Sequence, residues 1–162
     1  MGEVIEISIL SDNDLRDELV TVILELFPSK FKLDTIEIMD DWKYSNSIRL
    51  KNLSEINSYK KNKIISIKYV DDQKNQIGIN QEYIKGSFIT EGWINLKEDI
   101  GEKNYFSLLK KAEENLNRLT FSLCAVGQEI IVDFELPAQS IIARSHNVDL
   151  WIDNRNLPED IM

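Results

Sequence analysis

The chain has 162 residues, a formal net charge of −9, and is 43% hydrophobic and 29% charged, which fits one globular α+β-sized domain (1–162) with a core of its own and excludes a disordered or low-complexity chain. Its longest stretch without Asp, Glu, Lys or Arg covers 119–128, short of the roughly 20 apolar residues that cross a bilayer, so no membrane-spanning helix is expected. The start Met1-Gly2-Glu3-Val4-Ile5-Glu6 is acidic and alternating, unlike a secretory leader, and the single cysteine, Cys124, fits a reducing compartment and sits in an apolar run as a buried thiol would, so a cytoplasmic location is expected.

Val4 to Leu10 alternates, with Ile5, Ile7 and Ile9 on one face, as a strand covering a core on one side does. Ser11-Asp12-Asn13-Asp14 then offers capping oxygens to a helix whose apolar stripe is Leu15, Leu19, Val22, Ile23, Leu26 and Phe27, ended by Pro28 and Ser29. Phe31 to Met39 is a strand whose phase slips, which predicts a bulge near Asp34-Thr35. Ser47 to Leu53 is a short strand, and Lys63 to Val70 pairs as a hairpin with Gln76 to Asn80 across the turn Asp71 to Asn75. Tyr83 to Leu96, interrupted by Gly86 and Gly92, fits bent or paired short strands. A second helix runs from about Glu102 to Arg118, with Tyr105, Leu109, Ala112, Leu116 and Leu119 on its stripe. Thr120 to Val126 and Glu129 to Leu136 flank Gly127-Gln128, the pattern of a type II′ hairpin, and Ser140 to Ala143 and Val148 to Ile152 close the sheet. Two helices among roughly 8–10 short strands cannot alternate as βαβ units. The expected fold is therefore α+β, a mostly antiparallel sheet with both helices on one face.

No catalytic motif is found, and neither a cofactor nor a metal is expected. One histidine, His146, excludes paired-histidine zinc chemistry and lies in a polar turn, Arg144 to Asn147. The glycines stand too far apart for a phosphate cradle. An EF-hand fails at Arg16, and Asp133-Phe134-Glu135-Leu136-Pro137 has proline where a restriction-type nuclease needs lysine. The acid pairs Asp12/Asp14, Asp40-Asp41, Asp71-Asp72, Glu98-Asp99 and Glu159-Asp160 are explained, four times in five, by caps and turns.

Charge is uneven. Residues 1–42 hold eleven acids and three bases, 43–88 four acids and nine bases, and 89–162 thirteen acids and seven bases. Direct nucleic-acid binding would rest on the middle zone alone, where Lys60-Lys61-Asn62-Lys63 is too short for a patch, so it is not expected. Asp40-Asp41-Trp42, Glu91-Gly92-Trp93 and Asp149-Leu150-Trp151-Ile152-Asp153 each set an indole beside carboxylates. Strand alternation places Trp151 with Asp149 and Asp153 on one face. Asp40, Asp41, Trp42, Asp149, Trp151 and Asp153 are accordingly the candidate partner-binding residues: an aromatic anchor for contact and acids for steering, as a binder of a basic protein needs. Tryptophans packed in the core are the competing reading.

In size, acidity, α+β pattern and lack of a catalytic motif, the chain resembles immunity proteins as a class, which share no motif. That resemblance implies a non-enzymatic inhibitor that blocks a basic cognate toxin. A composition rich in Ile, Asn and Lys and poor in Ala fits a bacterial or phage source. A secretion or assembly chaperone, a phage accessory protein, and a small-molecule-binding domain remain open alternatives.

Overall fold

A computed structural model describes residues 4–59, 62–98 and 100–156. Lys60, Lys61, Asp99 and the Glu159-Asp160 pair lie outside the described residues. The chain forms β1 (Val4–Ser11), α1 (Arg16–Leu26), β2 (Lys32–Met39), β3 (Ile48–Leu50), β4 (Ile64–Val70), β5 (Gln76–Ile84), β6 (Ser87–Asn95), α2 (Glu102–Leu116), β7 (Leu123–Ile131) and β8 (His146–Asp153), with short 3₁₀ turns at Leu53–Ser58 and Ala138–Ser140. The eight strands make one sheet, order β3-β2-β4-β5-β6-β1-β7-β8, every neighbour antiparallel. This is the expected α+β architecture.

The core lies between one face of that sheet and the two helices. Ile5, Ile7 and Ile9 are fully buried there, as their alternation requires, and meet Leu19, Val22 and Ile23 of α1 and Leu109, Ala112 and Leu116 of α2. Each such aliphatic side chain contributes about 2 kcal/mol by leaving water. Cys124 joins this core from β7, and burial holds its thiol protonated well above the ordinary range. Beyond the reach of the helices, Ile36, Ile38 and Ile67 of β2 and β4 form a second small core closed by Ile56 of the first 3₁₀ turn.

Several local expectations hold. The register of β2 against β4 shifts between Leu33 and Thr35, the expected bulge. The β4–β5 turn is built on Asp71, whose Oδ1 accepts from the Gln73 and Asn75 amides at 3.0 and 2.8 Å while its Oδ2 accepts from Ser29 Oγ at 2.9 Å. The segment 83–96 differs from the expected pair of short strands: it holds the end of β5 and one nine-residue strand, β6, which Gly92 does not interrupt, and the reversal falls at Lys85-Gly86, both at positive φ.

Two expectations are corrected. Gly127-Gln128 is not a hairpin turn: β7 continues through it to Ile131, with an irregularity at Glu129 (φ +52°) and a register shift against β8, and Gly127 lacks the positive φ that a type II′ turn demands. Glycine stands there because β8 crosses at very close range, a Cβ on Gly127 falling 2.2 Å from Asn147 O and 3.2 Å from Val148 Cα. This close crossing goes with irregular pairing, since Val126 faces Leu150 while Gly127 faces Val148, leaving Asp149 as an extra residue on β8. Residues 132–145 are then a long connection of turns and one 3₁₀ turn, so the second hairpin arm to Leu136 and the strand at Ser140 to Ala143 do not form. His146 opens β8 and is exposed, after the turn rather than within it.

Candidate functional site

The sheet's other face, turned away from the helices, carries three glutamates without an ion pair among the described residues, Glu6, Glu82 and Glu91. Strand register fixes its occupants. One row across the strands reads Ser66 (β4), Asn80 (β5), Glu91 (β6) and Ser8 (β1). The next reads Lys68, Gly78, Trp93 and Glu6, and the one beyond Glu91 holds Glu82, Ile89 and Leu10. All are strand positions whose chain neighbours point into the core, so period-two alternation alone delivers them to this side.

Two connections wall this face. From β2–β3, Trp42 reaches across and donates its indole N–H to Glu82 Oε2 at 3.1 Å. From β7–β8, the 132–145 connection folds back along β8, Arg155 Nη1 donating to Ala138 O at 2.7 Å, and it brings Glu135 close enough to Glu82 to repel its charge. On that side Leu123 and Ala125 are fully buried although they face away from the helices. The strip of the face between these two connections, the trough, carries the polar row and Trp93, whose indole lies on Gly78: a Cβ there would come within 2.1–2.3 Å of three ring atoms.

Three glutamates share the trough with one lysine, Lys68, which is exposed and forms no ion pair with them among the described residues. Burial, and then Glu129, raises the pKa of Glu6. Burial, then Glu6 and Glu82, raises that of Glu91. Burial and Glu135 raise Glu82 against the lowering bond from Trp42. Among the described residues, none of these three carboxylates has an ion pair, and no three acids converge closely enough to hold a metal ion. The charged forms of these carboxylates are disfavoured by burial, and among the described residues only Glu82 has a side-chain donor, Trp42, against it.

The residues singled out from sequence behave differently. Asp40 is exposed and held below the usual carboxylate range, first by the Asn46 amide, which donates to its Oδ2 at 2.7 Å, and then by Lys63, with which it forms an ion pair. Asp41 is likewise lowered by Ser45, and its Oδ1 accepts from the Lys43 and Ser45 amides at 2.8 and 3.3 Å. Both carboxylates shape the loop that presents Trp42, which is 47% exposed. Asp153 is lowered by Arg155, whose guanidinium grips it at 2.9 and 3.0 Å.

The expected grouping of Trp151 with two acids is corrected. Trp151 faces away from the helices opposite Ala125, and Asp153 opposite Leu123, but the extra residue Asp149 turns to the helix side and accepts from Tyr105 Oη at 2.5 Å. Tyr105→Phe removes that bond and leaves a carboxylate without its donor, so it lowers stability by about 1–2 kcal/mol in a denaturant titration. Trp42 and Glu82 are thus brought together, Asp149 and Trp151 are not. Glu6, Glu82 and the role of Glu91 were missed from sequence, because which strands adjoin is a tertiary fact.

No family model and no curated protein matches the chain. Among solved structures, a chain of the crystal structure of the toxic C-terminal tip of CdiA from Pseudomonas aeruginosa in complex with immune protein matches at 12% identity and a TM-score of 0.49, covering 98% of this chain and 99% of that one. Likeness of that degree assigns neither a family nor a partner.

Proposed function

We propose that the protein is a non-enzymatic, immunity-type inhibitor that neutralises a basic toxin by covering it with the walled, acidic face of the sheet. One observation carries this reading: Glu6, Glu82 and Glu91 are crowded on one face, raised by burial and by other acids, with no ion pair to any of them among the described residues. A cationic partner relieves this crowding, and the exposed indole of Trp42 at the rim supplies aromatic contact area. Asp40 and Asp41 shape the loop that carries that indole, while Trp151 and Asp153 lie on the same sheet face on β8, where Arg155 links Asp153 to the 132–145 connection. Such an inhibitor would act in the cytoplasm, which suits a lone buried cysteine; no helix among the described residues is long and apolar enough to cross a membrane.

Tagged protein incubated with lysate at low salt is expected to retain one basic protein at 1:1. The association rate of that pair is expected to fall about tenfold between 0.05 and 0.5 M salt, because steering between opposite charges is screened over a Debye length. A complex whose association ignores salt, and whose affinity survives Glu6→Gln, Glu82→Gln and Glu91→Gln together, overturns the reading.

A further inference from the structure

Ser8 is only 3% exposed, faces the trough, and stands directly opposite Glu91. Its hydroxyl is not among the sealed, unbonded atoms, so it keeps solvent contact, yet among the described residues it makes no side-chain hydrogen bond. Asn80, on the other flank of Glu91, and Ser66 beyond it also form none. Ser8 is buried and Ser66, Asn80 and Glu91 are half-buried, so the row offers donors and acceptors that no side chain among the described residues takes up. Beside this row, Trp93 has one ring face on Gly78 and is half-buried.

We propose that the trough seats one arginine side chain of the basic partner, its guanidinium hydrogen-bonded to Glu91 between Ser8 and Asn80 and stacked on the face of Trp93 away from Gly78; this rests on the binder reading above. The match is one of shape as well as charge. Neighbouring strands stand about 4.8 Å apart, so Glu91 is flanked on both sides by an oxygen acceptor within the span of a planar group carrying five N–H donors. Guanidinium also stacks on aromatic faces, whereas a lysine ammonium is a compact point charge that neither stacks as well nor fills several acceptors in a plane. Glu6 and Glu82, on the adjoining rows, add attraction without competing for the seat. An anionic ligand is excluded by the same carboxylates, and a metal ion by their separation.

The test is a titration of ¹⁵N-labelled full-length protein with acetylated, amidated hexa-arginine and, separately, hexalysine at equal ionic strength. The expected result is at least tenfold tighter binding of the arginine peptide, with shifts at the Trp93 indole N–H and at Ser8 and Asn80. Glu91→Gln is expected to abolish that preference and Glu91→Asp to retain part of it. Equal binding of the two peptides, an arginine preference untouched by Glu91→Gln, or shifts confined to Asp40–Trp42 and Asp153 would overturn the seat. The two readings fail separately. A basic protein that binds tightly with no arginine preference sinks the seat alone, whereas an intact preference with no basic protein captured sinks the inhibitor.

Discussion

Glu91→Gln is expected to raise the thermal midpoint of the free protein by a few degrees at pH 7.5 and, in the same variant, to weaken the complex with the basic partner by about thirtyfold or more. The stabilising half follows from sign. The folded pKa values of Glu6, Glu82 and Glu91 are raised above the model-peptide 4.5, so their contribution to stability is complete below that value and is lost as pH rises through the raised folded values. Wild-type protein is therefore expected to gain midpoint as pH falls from 7.5 toward about 5, and the Gln variant to gain less. Below about 4 the slope reverses, because Asp14 and Asp71 are held below 3.8 by their hydrogen bonds and lose that stabilisation on protonation. The weakening half follows from leaving a partner cation buried without its counter-charge. A carboxylate kept for folding would show the reverse: a lower midpoint and unchanged binding.

The second large effect is structural. Gly127→Ala places a methyl carbon 2.2 Å from Asn147 O, a backbone atom with no side-chain freedom to give way. β8 must then separate from β7, and a loss of about 3 kcal/mol or more is expected in a denaturant titration, with β8 amides exchanging faster than those of β1. Gly86→Ala is the useful contrast. Nothing lies within 4 Å of its Cβ, and the cost is only that of an L-residue at φ +82°, about 1 kcal/mol.

The comparison of Gly127 with Ile5, Ile7 and Ile9 shows where sequence reasoning succeeds. Alternation and helical stripes are local, and they located β1, the bulge in β2, both helices and the sheet's helix-covered face. Gly127-Gln128 carries the residues of a hairpin turn, yet its glycine serves a close crossing of strands about twenty residues apart in sequence, which no local pattern records. The same gap separates Trp93 from its function. Glu91 beside Trp93 was visible as a pair, but that Glu6 and Glu82 adjoin them depends on β1 and β5 flanking β6. Asp149 left the face expected for it because one residue of β8 is unmatched on β7. Acid clusters legible along the chain, Asp40-Asp41 and Asp153, turned out to be satisfied by local donors. The acids raised by burial are single glutamates, Glu6, Glu82 and Glu91, scattered over three strands.

Carboxyl labelling tests the central claim most directly. Carbodiimide with glycine ethyl ester, read by peptide mass spectrometry, reports the accessibility of each glutamate in the free protein and in its complex with the basic protein it captures. Labelling of Glu6, Glu82 and Glu91 is expected in the free protein and to be lost on complex formation, while Glu18 and Glu102 on the helix side label equally in both. Unchanged labelling of the three trough glutamates, with protection appearing on α1 or α2 instead, would contradict the account.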